Sequence, residues 1–376
     1  MKRTNSKLIY TKSGAKLHFY YSDKDGLCLS EGGAGKVLIK EAHYDFDVCL
    51  LDSVIYLICQ NTDGDIILLK YFDEKWHKYT LLVSKTKGVY DKNFYFLITG
   101  HCLQLFYTIK SAERLLLVEQ IICDEISNPI VIAPIAQSKQ GFFAVCDNAL
   151  NTYIYYQSES GGFGYKVYRW SSKSLGDFVC ISEESARCIH ALIDEYGRHH
   201  ICCMCKNGII YLQRDLDGKY LKESHIPYSY SPDDSAAYIR LVDEKIYIIW
   251  SSNYNVIYSV SIDDAKSFSS PTRIISSGDA PTLFALQNDH HRTFALGTFS
   301  YDDIRFINVG SHTNNALQKP HTYENRRIIK KDTQKNDDIS EINRIKSAIS
   351  ALSSEVCELK NKLELVISLI DEKNMH

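Results

Sequence analysis

The sequence lacks the features that would place it in a membrane or on nucleic acid. No run of about 18 uninterrupted apolar residues occurs, so no membrane-spanning helix is expected. The N-terminus, MKRTNSKLIYTKSG, has no apolar core of signal-peptide length, which predicts a cytoplasmic location. A formal net charge of −3 and a pI of about 6.5 give no overall attraction to nucleic acid or to anionic membranes.

Motifs that carry catalysis are also scarce. The sequence has no nucleophile elbow and no metalloprotease helix. The stretch EGGAGK at 31–36 has the wrong spacing for a phosphate loop, and a glycine-rich hairpin turn accounts for it. The basic run 326–331 is followed closely by acidic residues, so we interpret it as part of a solvated connector. No cofactor is predicted.

Tyrosine, by contrast, is abundant, with 26 Tyr against 3 Met and 3 Trp. Tyr, Ile and Val favour β-structure because they pack well on a pleated, half-buried surface. Twelve cysteines are scattered through the long chain and do not form the dense framework of a small secreted domain. We interpret them as reduced thiols that act as small apolar core residues.

A repeat of strands and turns runs through residues 7–312. Residues 53–82, 196–226 and 243–275 share one order: strand, Asn/Asp/Gly turn, strand, polar turn, strand. Another apolar strand precedes each, which makes four strands per unit. A four-stranded sheet cannot bury both faces alone, and radial stacking of such sheets is a β-propeller. We predict a mainly β, seven-bladed propeller, with six or eight blades as alternatives. The units are 7–41, 42–84, 85–126, 127–176, 177–229, 230–276 and 277–312.

The stretch SIDDAKSF, 261–268, lies between the third and fourth strands of the sixth unit. It resembles the Asp-box of sialidases and related propellers, Ser-x-Asp-x-Gly-x-Thr-Trp, with Ala265 in place of the glycine. In that family the box is a structural hairpin remote from the catalytic centre, so the resemblance implies the fold and not an activity. The residues that match or substitute conservatively are Ser261, Asp263, Ser267 and Phe268.

The resemblance to sialidases implies requirements that this chain does not meet. Such an enzyme binds its substrate carboxylate with three arginines and uses a Tyr–Glu pair and an Asp for the chemistry. The arginine-led strand motif expected near the N-terminus is not found, and the chain has only 13 arginines. We therefore predict a non-catalytic protein, with a glycoside hydrolase as the least favoured alternative.

The segment HHICCMC, 199–205, predicts the second strand of a hairpin whose turn is 195–198. In the expected register one histidine and three cysteines lie on one side of the ladder, a set compatible with zinc. A ladder spreads its side chains in a flat rectangle, so a packing face of apolar thiols is the preferred interpretation. The facing pairs are Cys188 with Cys205 and His190 with Cys203.

From residue 338 the apolar period becomes helical. Apolar residues recur at alternating intervals of three and four, which predicts a coiled coil over 338–373. The polar, proline-containing segment 313–337 is interpreted as a linker from a propeller spanning 1–312. We expect a homodimer or homotrimer through this helix, or pairing with a foreign helix. The heptad seam contains Ile342, Ile345, Ile349, Leu352, Val356, Leu359, Leu363, Val366 and Ile370.

A propeller multimerised in this way presents several identical faces, which raises the avidity of weak binding. We predict a protein that binds or scaffolds protein or glycan partners; the first alternative is a lectin-like carbohydrate binder. Ligands of propellers usually dock at the channel mouth or between blades, so the ends of the first strands hold the candidate residues. These are Tyr44, Asp45, Asp47, Tyr90, Asp91, Asp233, Asp234, Tyr238 and Asp279.

Overall fold

The structure is a computed structural model in which strands and turns make up the described residues. The described ranges are 6–11, 14–31, 34–85, 88–136, 141–215, 219–227, 237–252, 255–274, 282–288, 291–300, 303–306 and 309. The predicted linker, 313–337, and the predicted coiled coil, 338–373, lie outside these ranges.

Among the described residues, the strands form seven antiparallel meanders, in which each strand except β17 pairs with a neighbour along the chain. The first three are β1 (Ser6–Tyr10), β2 (Lys16–Ser22), β3 (Gly26–Glu31), β4 (Ala34–Ile39); β5 (Ala42–Leu51), β6 (Val54–Asn61), β7 (Ile66–Phe72), β8 (Lys75–Leu82); and β9 (Tyr95–Thr99), β10 (Cys102–Ser111), β11 (Arg114–Ile122), β12 (Ile130–Ile135).

The later meanders repeat this order, with one extra short strand in the fourth and three described strands in the seventh. They are β13 (Phe142–Cys146), β14 (Thr152–Gln157), β15 (Phe163–Arg169), β16 (Ser174–Leu175), β17 (Val179–Ser182); β18 (Arg187–Ile193), β19 (His199–Met204), β20 (Gly208–Arg214), β21 (Tyr220–Pro227); β22 (Tyr238–Val242), β23 (Lys245–Ser252), β24 (Asn255–Ser261), β25 (Thr272–Ile274); and β26 (Thr282–Asn288), β27 (His291–Ser300), β28 (Asp303–Phe306).

Both faces of the central strands of the second to fifth meanders are apolar, because each of these sheets packs between two others. On β6, Leu57 and Cys59 pack against the first meander, whereas Ile58 packs against the third. Side chains of a strand alternate between its two faces, so a nearly continuous apolar run supplies two interfaces at once. The same arrangement joins the third meander to the fourth, the fourth to the fifth and the fifth to the sixth.

The two ends of this series of sheets are also joined. Strand β26 pairs in parallel with β1, from Ser6 opposite Phe284 to Tyr10 opposite Asn288. The first and last meanders therefore share one sheet, in the order β28-β27-β26-β1-β2-β3-β4. Successive sheets that pack face to face, with the last meander paired to the first, make a β-propeller, which confirms the prediction of a mainly β propeller.

The predicted boundaries between the third and fourth units and between the fourth and fifth units are wrong. Residues 130–135 read as the opening strand of the fourth unit, but β12 pairs with β11 and closes the third meander. Likewise β17 pairs with β15 and belongs to the fourth meander, not the fifth. The alternation of apolar residues marks a strand, but only its hydrogen-bonded neighbour shows which sheet it joins.

One pair of cysteines departs from the prediction of reduced core thiols. Cys102, at the start of β10, forms a disulfide with Cys123, just after β11. The hairpin of β10 and β11 brings the two residues together although 21 positions separate them. Cys59 does fit the prediction, since its free thiol is buried in the apolar interface between the first two meanders.

Candidate functional site

Predicted ligand residues from two separate parts of the chain meet at the junction of the second and third meanders. Strand β5 carries Tyr44, Asp45 and Asp47, and the segment just before β9 carries Tyr90 and Asp91. The register of β5 on β6 shifts between Ala42 and Phe46. Such an irregularity releases residues from the ladder and redirects their side chains. Tyr44 and Asp45 lie within it.

The two aspartates of β5 hold the junction together. Asp45 accepts hydrogen bonds from the backbone N–H groups of Lys92, at 2.6 Å, and Asn93, at 2.7 Å. Burial raises the pKa of the Asp45 carboxyl to about 6, against the opposing effect of these two hydrogen bonds. Asp47 is fully buried, accepts a bond from the N–H of Phe96 at 2.8 Å, and pairs with Lys7 at 3.3 Å. Both carboxylates therefore position backbone and lie beneath the surface.

Above these carboxylates lies a group of partly exposed rings. The Tyr44 hydroxyl donates a hydrogen bond to the Asp91 carboxylate. The His43 ring lies 4.2 Å from that of Tyr44. The pKa of His43 is lowered, chiefly by burial, which favours the neutral ring. The backbone oxygen of Tyr90 accepts a bond from the Gln60 amide at 2.5 Å, which fixes this segment on β6.

Two lysine ammonium groups approach the ring of Tyr90. The Nζ atom of Lys92 lies 3.8 Å from the ring centroid, and that of Lys110 lies 4.9 Å from it. The Tyr90 hydroxyl also accepts a hydrogen bond from the backbone N–H of Lys110 at 2.9 Å. We call this group the junction platform and define it as His43, Tyr44, Tyr90, Asp91, Lys92 and Lys110.

Sequence reasoning found half of this platform. It missed His43, Lys92 and Lys110. His43 and Lys92 are direct neighbours of predicted residues, so the polar clusters at the strand ends were a usable signal. Lys110 had no such sequence signal, because it lies near the end of β10 and reaches Tyr90 only through the folding of the third meander.

The remaining predicted ligand residues do not join the platform. Tyr238 is 2% exposed, and its ring lies 6.3 Å from that of His190. His190 in turn lies 4.6 Å from Phe143, so these first strands meet through a packed row of rings. Tyr238 is therefore a core residue. Asp233, Asp234 and Asp279 lie outside the described residues.

The register expected for the histidine–cysteine cluster is wrong by one residue. The predicted turn after β18 is confirmed, but His190 pairs with Cys202, since the ladder shifts between Arg187 and His190. Directly opposed residues share a face, so Cys203 lies on the other face, where it packs with Cys205. The side chain of Cys188 lies outside the description. Within the described ranges, no three His, Cys, Asp or Glu side chains could hold a metal.

The loop after β24 has the hydrogen bonds of a tight structural turn. Asp263 accepts bonds from the Ser261 hydroxyl at 2.8 Å and from the N–H of Ser267 at 3.0 Å. Ala265 adopts a left-handed conformation, φ +62°, at the position of the family's glycine. The ring of Phe268 packs on Tyr211 of the fifth meander. The loop thus packs the sixth meander on the fifth. Its similarity to the Asp-box of sialidases stays a resemblance.

Comparisons with known proteins bear on the fold. A scan against models of protein families finds no match, and a search of curated proteins finds none either. Similar solved structures include a fucose-recognising, six-bladed propeller lectin from the fungus Aleuria aurantia, with 12% identity, a TM-score of 0.49, and coverage of 74% of this chain and 97% of that chain. They also include a polysaccharide lyase, an ulvan lyase, with 10% identity, a TM-score of 0.54, and coverage of 80% and 90%. At such identity the similarity to the lyase shows a shared fold alone.

In the part of the chain that the structure describes, no helix has the length and apolarity needed to cross a membrane.

Proposed function

We propose that this protein is a non-catalytic, carbohydrate-binding β-propeller whose ligand lies on the junction platform. The observation that carries the proposal is the grouping of the Tyr44 and Tyr90 rings with the Asp91 carboxylate between two meanders. Half-buried tyrosines offer an apolar ring and a polar hydroxyl in one side chain. A saccharide has the complementary chemistry, with apolar C–H faces and a rim of hydroxyl groups.

The platform is also preorganised for a ligand. Asp45 and Asp47 hold the backbone from Lys92 to Phe96, and Gln60 holds Tyr90. A binding surface that is ordered before the ligand arrives loses less conformational entropy on binding. This combination of fixed rings and few polar groups favours carbohydrate binding over the scaffolding function that the sequence predicts first.

The carboxylates of the junction also favour binding over hydrolysis. Glycosidases place two carboxyl groups on either side of the bond that is cleaved. Asp45 and Asp47 are buried and accept backbone N–H groups, and among the described platform residues only Asp91 brings a carboxylate to the partly exposed surface. The similar lyase acts on a polysaccharide, but the proposal depends on the residues of this junction and not on that similarity.

The proposal includes seven blades and a multimer. Each of the seven meanders would form one blade, with β26–β28 as a three-stranded blade completed beside β1. The heptad segment, 338–373, would assemble two or three propellers, which raises the avidity of a weak glycan site.

A glycan array tests the proposed function. The full chain is applied with variants Tyr90→Ala and Tyr44→Phe, and with Tyr196→Ala as a matched control, since Tyr196 is 72% exposed on the turn after β18. We expect Tyr90→Ala to weaken binding by about tenfold, Tyr44→Phe by less, and the control to bind like the wild type.

Several outcomes would count against the proposal. Absence of binding to any glycan would refute the function, and equal binding by Tyr90→Ala and the wild type would refute the location. Bound glycans should also keep their mass after incubation with the protein. Shortened products would show that the protein cleaves glycans, which contradicts a non-catalytic function. Circular dichroism of each variant checks that the fold is retained.

A further inference from the structure

The ammonium of Lys92 stands out among the charged groups of the described chain. Lys92 is only 2% exposed, which is rare for a lysine unless its charge is paired. Within the described residues, its side chain makes no hydrogen bond and no ion pair. Its contact is with the ring of Tyr90, at 3.8 Å. A ring face attracts a cation but does not replace the hydrogen bonds that an ammonium makes in water.

The backbone around this ammonium is firmly held. The N–H of Lys92 donates to Asp45 at 2.6 Å, and its carbonyl oxygen accepts bonds from the backbone and hydroxyl of Thr108 at 2.7 and 3.1 Å. The backbone of Lys92 is therefore held by two residues, Asp45 of the second meander and Thr108 of the third, so its side chain extends from a fixed position.

A second cation reaches the same ring from another strand. Lys110 is exposed, its Nζ atom lies 4.9 Å from the Tyr90 centroid, and its N–H is bonded to the Tyr90 hydroxyl. Two positive charges on one ring repel each other, and an anion close to both offsets this repulsion. The neighbouring carboxylate, Asp91, accepts a bond from Tyr44.

We infer that the junction platform recognises an acidic group of its saccharide, a carboxylate or a sulfate, through Lys92 and Lys110. This inference rests on the proposed function. The tyrosines would contact the sugar ring, and the two ammonium groups would pair with its anionic substituent. Such pairs form charge-assisted hydrogen bonds that are stronger than neutral ones. The preferred ligand is then a uronate-containing or sulfated glycan.

Matched ligands that differ only in charge test this inference. The full chain is titrated with an oligogalacturonate hexamer and its methyl ester, and with a sulfated chondroitin hexasaccharide and its desulfated form. The same four oligosaccharides are titrated into Lys110→Gln and Lys92→Gln, with Lys75→Gln as a control from an exposed position on β8.

We expect at least one acidic ligand to bind about tenfold or more tightly than its uncharged or less charged partner, and the preference to vanish in Lys110→Gln and Lys92→Gln but not in Lys75→Gln. The two ligand pairs separate carboxylate from sulfate recognition. Binding should also weaken as salt rises, because ion pairs at a surface are screened.

The failures of the two proposals can be told apart. Equal binding of each acidic ligand and its partner, or glycan-array hits confined to neutral sugars, would overturn the acidic preference and leave carbohydrate binding intact. If both lysine variants keep the preference for acidic ligands, the assignment of this preference to Lys92 and Lys110 is wrong. No binding to these ligands or to any glycan on the array would overturn both proposals.

Discussion

Asp45 accepts the backbone N–H of Lys92 at 2.6 Å and so joins the second meander to the residue whose ammonium lies over Tyr90. Asp45 lies on β5 of the second meander, and Lys92 lies in the segment just before β9 of the third. This hydrogen bond connects the stability of the blade junction to the geometry of the junction platform.

Removal of the Asp45 carboxylate should destabilise this junction. Asp45→Ala leaves the N–H groups of Lys92 and Asn93 without their acceptor, and an unsatisfied buried donor costs about 1–3 kcal/mol. We expect the free energy of unfolding in urea to fall by about 2–4 kcal/mol. Asp45→Asn keeps one acceptor oxygen and should lose less. Equal stability of Asp45→Ala and the wild type would show that the two bonds contribute little.

Glu119 should make the stability depend on pH. Its carboxyl is 1% exposed and accepts a bond from Gln104 at 2.8 Å, while the oxygen of Gln104 accepts bonds from Thr99 and Thr152. Burial raises the pKa of Glu119 from 4.5 to about 7. The folded protein therefore holds this proton more strongly than the unfolded chain. The resulting stability is fully present below pH 4.5 and is lost as pH rises through about 7.

The variant Glu119→Gln isolates this contribution, because the amide does not ionise. We expect wild-type stability relative to the variant to fall by on the order of 3 kcal/mol between pH 4 and pH 8. Chemical denaturation at a series of pH values measures the difference. Glu113→Gln, at an exposed turn, is the control and should follow the wild type. Parallel curves for the wild type and Glu119→Gln would mean that Glu119 keeps an ordinary pKa.

The Cys102–Cys123 disulfide should stabilise the third meander. Closure of a loop across 21 positions limits the unfolded chain and is worth about 3 kcal/mol in the chain-entropy model. The double variant Cys102→Ser/Cys123→Ser should lose about this amount and should no longer respond to reductant. Cys180→Ser, at an exposed thiol, is the control. Alkylation and mass spectrometry of protein from its native cells would show whether the bond forms there, which requires an oxidising setting.

The heptad segment should determine the oligomeric state. Light scattering on the full chain is expected to give a dimer or trimer, and a version that ends near Asp332 should be a monomer, because the apolar seam at 342–370 is then absent. A full chain that is monomeric would point to a foreign helix as the partner, with residues 336–376 as the probe to find it. If the full chain and the shortened version form the same multimer, the contact between protomers lies in the propeller and not in the heptad segment.

Part of the candidate site could be predicted from sequence alone. Tyr44, Tyr90 and Asp91 are polar or amphipathic residues next to apolar strands, and this marks them as candidate ligand residues. The sequence does not show that Asp45 and Asp47 point into the junction while Asp91 stays near the surface. That difference depends on how β5 packs against the segment 92–96, whose backbone N–H groups Asp45 and Asp47 accept, and such a long-range contact has no sequence signature. The same limit explains the misplaced partner of His190.

The sequence by itself determined the local structure: strands from alternating apolar residues, hairpin turns such as 195–198, and a heptad pattern in 338–373 that predicts a helix. These depend on neighbours along the chain. Only the tertiary structure decided that β12 closes the third meander, that Cys102 bonds Cys123, and that Lys92 and Lys110 share the Tyr90 ring. Such contacts depend on how sheets stack and register, because many strands have similar apolar patterns and compete for the same neighbours.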